Sequence, residues 1–322
     1  MRYRTFGRTG WQVSEIGYGM WGMGGWSGSD DAESLASLHR AVDLGCTFFD
    51  TAFAYGAGHS EKLLGEVVRT HQDRGLVVAT KVPPKNLKWP GRASDPVADT
   101  FPPDHIHEFT ARSLTNLGLE RLDLLQFHVW DDAWAADDEW KRAIEDLKRA
   151  GTIRAFGISV NRWQPENVLA AIDTGLVDAV QVVYNVFDQA PEDTFFPACR
   201  GADVAVIARV PFDEGSLTGT LTSDTRFPED DWRSSYFTPA HLEATLARVQ
   251  PLLPLVPEGA SLPDLALRFI LSSPAVCTVI PGMRRARHVD ANMAASGHGP
   301  LAADLVEALR AHRWDRVPTQ TP

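Results

Sequence analysis

Thr47-Phe48-Phe49-Asp50-Thr51-Ala52-Phe53-Ala54-Tyr55-Gly56 opens as an apolar β-type run and stops at an acid. It then delivers a phenol into a glycine-bearing loop, Tyr55-Gly56-Ala57-Gly58-His59-Ser60-Glu61. The form recurs downstream: Leu76-Val77-Val78-Ala79-Thr80-Lys81-Val82 carries a lysine near its end, and Leu122-Asp123-Leu124-Leu125-Gln126-Phe127-His128 ends on histidine. Runs of continuous Val, Ile, Leu and Phe are buried on both faces, as in parallel sheet covered by helices. On the first stretch alone, an acid at a strand end followed by a core tyrosine is the better reading, and the rest of the chain must decide.

Working outward, Tyr3–Trp11 reads as a hairpin turning at Gly7 and Thr9-Gly10, followed by a strand at Glu15–Gly19. A helix to Leu44 is capped by Ser29 or Asp30, with acids in its first turn. Strand Phe48–Ala52, helix Ser60–Thr70, strand Leu76–Val82 and helix Asp104–Asn116 come next. Strand Leu122–His128, helix Asp137–Ala150, strand Arg154–Ser159 and helix Pro165–Asp173 continue the alternation. Strand Ala179–Tyr184, helix Glu192–Arg200 and strand Val204–Val210 lead to an insertion, Pro211–Tyr236. Helices Pro239–Pro251 and Leu262–Ser272, strand Thr278–Ile280, and helices Arg285–Ala294 and Ala302–Trp314 finish the chain. Eight strand–helix units in 322 residues predict an α/β fold, a single eight-stranded parallel (TIM) barrel domain over 1–322. A doubly wound sheet is the alternative. Gly17-Tyr18-Gly19-Met20-Trp21-Gly22 fits the dinucleotide pattern GxGxxG, but Met23–Ser29 separates it from any helix, whose N-terminus that pattern requires.

Composition narrows the function. The net charge of −11 argues against a nucleic-acid partner. No apolar run is long enough to span a membrane, and Met1–Phe6 contains nothing like a signal peptide. Cys46, Cys199 and Cys277 have no metal-site spacing, so reduced thiols in a cytoplasmic protein, with no metal, are expected.

A barrel gathers strand ends at one mouth, where Asp50, Tyr55, Lys81 and His128 would meet. Each has an ordinary structural account: a capping acid, a core phenol, a snorkelling lysine, a satisfied histidine. Together they form a proton-transfer set. An ammonium about 4 Å from a phenol favours the phenolate by roughly 4 kcal/mol at an effective dielectric of about 20, before desolvation offsets part of it. Tyr55 is therefore expected to shift toward neutrality, with Asp50 holding Lys81 charged and His128 orienting a substrate oxygen. Such a set suits protonating a carbonyl oxygen as hydride reaches its carbon.

Phe49-Asp50-Thr51-Ala52, Tyr55-Gly56-x-Gly58-x-Ser60-Glu61, Lys81 and His128 resemble the aldo-keto reductases. So do Arg4-x-x-Gly7-Arg8-Thr9-Gly10 with Val13-Ser14 near the start, and Val279-Ile280-Pro281-Gly282 with Asn292 near the end. The resemblance spans essentially the whole chain. It implies a TIM barrel using NADPH, or NADH in its place, to reduce a small-molecule aldehyde or ketone. Tyr55 would be the general acid/base, Lys81 and Asp50 its tuning pair, and His128 the carbonyl-orienting group. The resemblance further assigns Ser159, Gln181 and Asn161 to the carboxamide and Arg209 to the face of the nicotinamide. Val210, Pro211, Phe212, Gly215, Leu217 and Gly219 would follow the pyrophosphate. Gly282, Met283, Arg284, His288 and Asn292 would form the far end of the site, where Arg284, Arg285 and Arg287 suit a 2′-phosphate. Trp21, Trp26, Phe53 and Trp130, with the aromatics of the Trp89 and Trp232 loops, are expected to wall the substrate pocket. A nucleotide-binding regulatory or sensor subunit on the same fold is the competing function. Barrels of this type work as monomers, so assembly would be incidental to the chemistry.

Overall fold

Successive βα units lay eight parallel strands side by side in chain order, in a computed structural model that describes residues 1–25, 28–229 and 231–316. An antiparallel hairpin, β1 (Tyr3–Thr5) with β2 (Gln12–Ser14), precedes them. The barrel strands are β3 (Tyr18–Gly19), β4 (Phe48–Asp50), β5 (Val77–Val82), β6 (Leu122–Phe127), β7 (Ile153–Ser159), β8 (Ala179–Val183), β9 (Ala205–Arg209) and β10 (Val276–Val279). Helices α1 (Asp31–Asp43), α2 (His59–Thr70), α3 (Val97–Thr100), α4 (Pro103–Leu117), α5 (Glu139–Arg149) and α6 (Leu169–Asp173) lie between strands in the first part of the chain. They are followed by α7 (Phe195–Gly201), α8 (Arg233–Tyr236), α9 (Pro239–Val249), α10 (Leu262–Leu271), α11 (Ala286–His298) and α12 (Ala303–Arg310). Among the described residues, no helix is long and apolar enough to cross a membrane.

The sheet closes where β3 meets β10. The Gly17 amide donates to the Val279 carbonyl (2.8 Å), Gly19 to Pro281 (3.0 Å) and Val279 to Glu15 (3.0 Å). A Cβ at Gly19 would stand 2.6 Å from the Ile280 carbonyl oxygen, and one at Gly17 2.9 Å from that of Phe48. Two of the three glycines of the apparent dinucleotide motif are thus seam residues, spaced so that backbone can meet backbone. Trp21–Met23 after them is a single 3₁₀ turn and not the head of an α-helix.

Alternation along each strand sorts the barrel interior into layers. Phe48, Ala79, Leu124, Ala155, Ala179 and Ala205 form a lower apolar layer, plugged from beneath by Phe6 of the hairpin, whose ring lies 5.4 Å from that of Phe48. Two residues further on, the same inward positions hold Asp50, Lys81, Gln126 and Gln181, all buried. Gly157, paired with Gln126 across the β6–β7 ladder, makes room for them: a Cβ there would meet Gln126 Cγ at 3.1 Å and the Ala179 carbonyl at 2.8 Å.

Several expected boundaries move, for local reasons. The hairpin's second strand lies beyond Trp11, because Gly7–Thr9 is a 3₁₀ turn. The helix expected from Pro165 is confined to Leu169–Asp173. Gln164 and Asn167 side chains bond each other and Asn167 accepts from the Asp132 amide, side-chain bonding that competes with helix formation. The last helix stops at Arg310, and Trp314 instead donates its amide to the Phe187 carbonyl (2.8 Å).

Trp130 requires a correction. It is fully buried, with its ring against Phe127, Trp134 and Trp140 at 5.3–6.1 Å and its indole N–H on Asp132, so it belongs to the helix-layer core and not to a pocket wall. Trp130→Ala is therefore expected to cost about 3–5 kcal/mol in urea unfolding, the range for removing a buried large aromatic. A loss below about 1 kcal/mol would contradict this placement.

Candidate active site

Asp50, at the end of β4, is the centre of the buried polar layer. Its Oδ1 accepts from Lys81 Nζ (2.5 Å), and its Oδ2 from the side-chain amides of Gln181 (2.8 Å) and Gln126 (3.0 Å). Lys81, fully buried at the end of β5, also donates to the Thr51 carbonyl (2.7 Å). The ammonium lies 5.1 Å from the centre of the Tyr55 ring and hydrogen-bonds its hydroxyl.

The loop that presents Tyr55 is fixed from both sides. Gly56 has φ +68°, and a Cβ there would lie 2.3 Å from the Gly24 carbonyl oxygen, so only glycine lets the two loops touch. Ser60 accepts from the Thr51 hydroxyl (2.8 Å). Glu61 is buried, accepting from Thr80 (2.6 Å) and Asn116 (2.8 Å), which ties the head of α2 to β5 and α4. Ser60 and Glu61 thus act as framework.

His128 follows β6, its ring edge-on to Tyr55 (5.6 Å) and to Trp89 (4.6 Å). Burial, then the charges of Lys81 and Arg209, hold its pKa well below the usual 6.5, so the imidazole is neutral. Its Nδ1 is buried without a hydrogen-bond partner. The phenol of Tyr55 moves opposite to the expectation from its lysine neighbour. Burial raises its pKa above 10 and outweighs the pull of Lys81, while Asp50 pushes it further up. The physical reason is that full burial of the phenol outweighs every nearby charge, with Asp50 opposing part of the pull of Lys81 and Arg209.

Ser159 and Gln181 face each other across the β7–β8 ladder, both buried. Gln181 commits its amide nitrogen to Asp50, and Gln126, not singled out from the sequence, does the same from β6. The signal for Gln126 was a lone amide at an inward position of an apolar strand. Asn161 turns away from this group: its amide donates to the Gly91 carbonyl (2.9 Å) and pins the loop carrying Trp89. Arg209, at the end of β9, donates to the Val160 carbonyl (2.9 Å), and its Nε is buried without a partner. Burial and the neighbouring Arg162 lower its pKa to about 10.

The segment Val210–Gly219 follows β9 and packs against α9 and α10. Val210, Glu214 and Gly215 have φ of +56°, +58° and +108°, Leu217 is buried beneath, and Pro211 and Phe212 lie between. Gly219, directly after Thr218, is also in a left-handed conformation. On the other side, Gly282 bridges to Gly19 and buried Met283 accepts from the Tyr18 hydroxyl (2.7 Å). The side chain of Arg284 runs past Gly22, where a Cβ would meet its Cδ at 3.0 Å. Arg285 stands at the head of α11 with no side-chain cap, and the His288 amide donates to its carbonyl (2.8 Å). Burial and Arg287, Arg285 and Arg284 lower the pKa of His288, and Asn292 is buried one turn on.

Of the expected pocket aromatics, Trp21 is exposed beside the seam, and Phe53 packs edge-on against Phe109 (4.7 Å). Trp26 lies outside the described residues. Trp89, more than a third exposed, stands with its ring edge-on to His128. Among the described residues, no cluster of three or more His, Cys, Asp or Glu is arranged to hold a metal ion.

Residues 15–313 match the model of the aldo/keto reductase family. The chain is 30% identical to the Aldo-keto reductase YhdN of Bacillus subtilis (strain 168) over 298 residues, 90% of this chain and 87% of that protein. It is 29% identical to a probable voltage-gated potassium channel subunit beta of Oryza sativa subsp. japonica, covering 96% of each. The solved structure of the glycerol dehydrogenase AKR11B4 from Gluconobacter oxydans superposes with a TM-score of 0.80 at 27% identity, covering 99% of this chain and 98% of that one.

His128 gives the site a pH signature in stability. Below about pH 6.5 an unfolded histidine takes up a proton that folded His128 refuses until far lower pH, so its contribution to stability falls as pH falls through that window. Urea midpoints between pH 7 and pH 5 are expected to drop less in His128→Asn than in the wild type. Equal slopes would mean that His128 protonates normally in the fold.

Proposed function

We propose that this chain, which belongs to the aldo/keto reductase family, reduces a small aldehyde or activated ketone, taking NADPH as its preferred donor and NADH as the second. The observation that carries the reading is the Tyr55 phenol bonded to Lys81, itself locked to Asp50, with neutral His128 alongside.

The residues present fit a nicotinamide cofactor. Within the tetrad of Asp50, Tyr55, Lys81 and His128, the His128 Nδ1 is unpartnered, as is the Nε of neighbouring Arg209, and an uncapped helix head with three arginines follows the Gly19–Gly282 bridge of the seam. Ser159 and the oxygen of Gln181 would hold the carboxamide, the 210–219 segment the pyrophosphate, and Arg284, Arg285 and Arg287 a 2′-phosphate. Asn161 is left out of this set because its amide is engaged by Gly91. When bound, NADPH supplies the hydride.

The protein's own part is proton transfer and positioning. Tyr55, held protonated at neutral pH by burial, gives its proton to the carbonyl oxygen as negative charge develops there. Lys81 stabilises the phenolate that remains, and Asp50 keeps the ammonium aimed. Neutral His128 can donate to the same oxygen without competing for the proton. Trp89 and Trp21 offer flat apolar walls to the rest of the substrate. Cys46, Cys199 and Cys277, all unpaired, support a reducing, cytoplasmic setting. The second reading, a nucleotide-binding regulatory subunit, draws on the rice relative. It would show nucleotide binding without turnover.

Two measurements test the proposal. With NADPH and a small aldehyde, Tyr55→Phe is expected to lose on the order of 10²–10⁴-fold in kcat while keeping the wild-type Kd for nucleotide. Equal rates in the variant would rule out Tyr55 as the acid. Separately, Arg209 sets a cation beside a ring that is cationic when oxidised, so NADP⁺ should bind more weakly than NADPH. Replacing it by Arg209→Tyr should narrow that gap, and an unchanged ratio of the two Kd values would refute the assignment.

A further inference from the structure

The 210–219 segment adopts a conformation that its own residues disfavour. Val210, Asp213 and Glu214 all lie at positive φ (56°, 45° and 58°), a region L side chains avoid and a β-branched valine most of all. Such a backbone persists only where the surroundings over-determine it. Asn185 donates to the Val210 carbonyl (3.0 Å), Glu214 is paired with Arg162, and Asp213 accepts from Ser216 (2.7 Å) within the segment. The remaining hold comes from the far end of the chain. Arg316 donates through Nη1 to Asp213 (2.7 Å) and the Tyr236 hydroxyl (2.9 Å), and through Nη2 to Asp188 (2.7 Å).

The Arg316 side chain is only 5% exposed, between two carboxylates that are themselves 3% and 7% exposed. Its guanidinium stands 4.7 Å from the ring of Trp314, and Trp314 is anchored through its amide to Phe187. Removing the guanidinium would take away the cation that bonds both Asp188 and Asp213, leaving the two buried carboxylates only the more distant charge of Arg162. Burial and the charge of Asp213 already push Asp188 up to about 6 even with Arg316 in place. Asp213 is the member of this group that belongs to the strained segment.

We propose that Arg316 is a positioning residue: the Trp314–Arg316 strap clasps Asp213 and holds the 210–219 backbone in the form that presents its amides, so that nucleotide affinity depends on the segment that carries Arg316. The nucleotide half of this rests on the proposed role of 210–219; the clasp itself does not.

The test uses the full chain with Arg316→Gln, Arg316→Lys and, as a control, Arg313→Gln, which removes an exposed ion pair to Asp193 on the same strap. Amide hydrogen exchange is measured first without nucleotide. Arg316→Gln is expected to accelerate exchange across 210–219 by about tenfold or more while leaving β5 to β8 at wild-type rates; Arg313→Gln should change neither. NADPH binding is then followed by tryptophan fluorescence. Arg316→Gln should weaken Kd by about tenfold, and Arg316→Lys should recover part of it. The kcat at saturating NADPH should stay within about threefold of wild type, because the tetrad is untouched. Unchanged exchange at 210–219, or equal acceleration throughout the barrel, overturns the clasp. Faster local exchange with an unchanged Kd overturns its link to the nucleotide. A wild-type protein that binds neither NADPH nor NADH defeats the functional reading, while exchange still decides the clasp.

Discussion

The ion pair between Asp50 and Lys81 is the constraint on which the barrel mouth depends. Both charges are withdrawn from water above an apolar layer, where desolvation is expensive and every remaining bond counts. The structure answers by satisfying both groups. The carboxylate takes three donors from three different strands, and the ammonium serves Asp50, the Thr51 carbonyl and the phenol of Tyr55. Removing one partner of such a pair typically costs about 3–5 kcal/mol, since the other charge stays buried. Strands β4, β5, β6 and β8 are therefore cross-tied through their side chains as well as their backbones.

That cross-tie also explains the behaviour of the phenol. A lysine near a tyrosine reads, in isolation, as a device for making phenolate. Here burial outweighs the lysine's pull, Asp50 opposes part of that pull, and the phenol keeps its proton. The charge on Lys81 then matters most after the proton has left. The group is built for giving a proton, with the recipient's oxygen as the place where charge accumulates.

Much of this was legible in the sequence, and what was not has a physical cause. Continuous apolar runs announced parallel strands, and the polar residue near the end of each run announced the mouth; Asp50, Lys81 and His128 come together as that reading required. Gln126 was passed over because a single amide in an apolar strand is as readily a backbone partner. Trp130 was misplaced because a tryptophan just past a strand end looks the same whether it turns to the pocket or to the helices, and only the packing of Trp134 and Trp140 decides. The loops were hardest. Nothing in Asp213-Glu214-Gly215 indicates left-handed backbone at its first two residues, since that conformation is enforced by partners at Arg162 and Arg316 far along the chain. For the same reason the direction of Asn161 could be read only after the Gly91 loop was in place.

The glycine seam has a consequence in time. All four residues of the tetrad lie within the first 128 positions, yet β3 and β10 join only through amides and carbonyls that include Val279 and Pro281. Arg4, in the opening hairpin, likewise finds its carbonyl partners at Leu271, Ser273 and Val276. A ribosome would thus have made every group of the tetrad long before the segment that closes the cylinder emerged. Until then both edges of the growing sheet stay open, and an open edge can pair with another chain. Late closure makes the interval before the β10 segment emerges the one in which this protein most needs shelter from its neighbours.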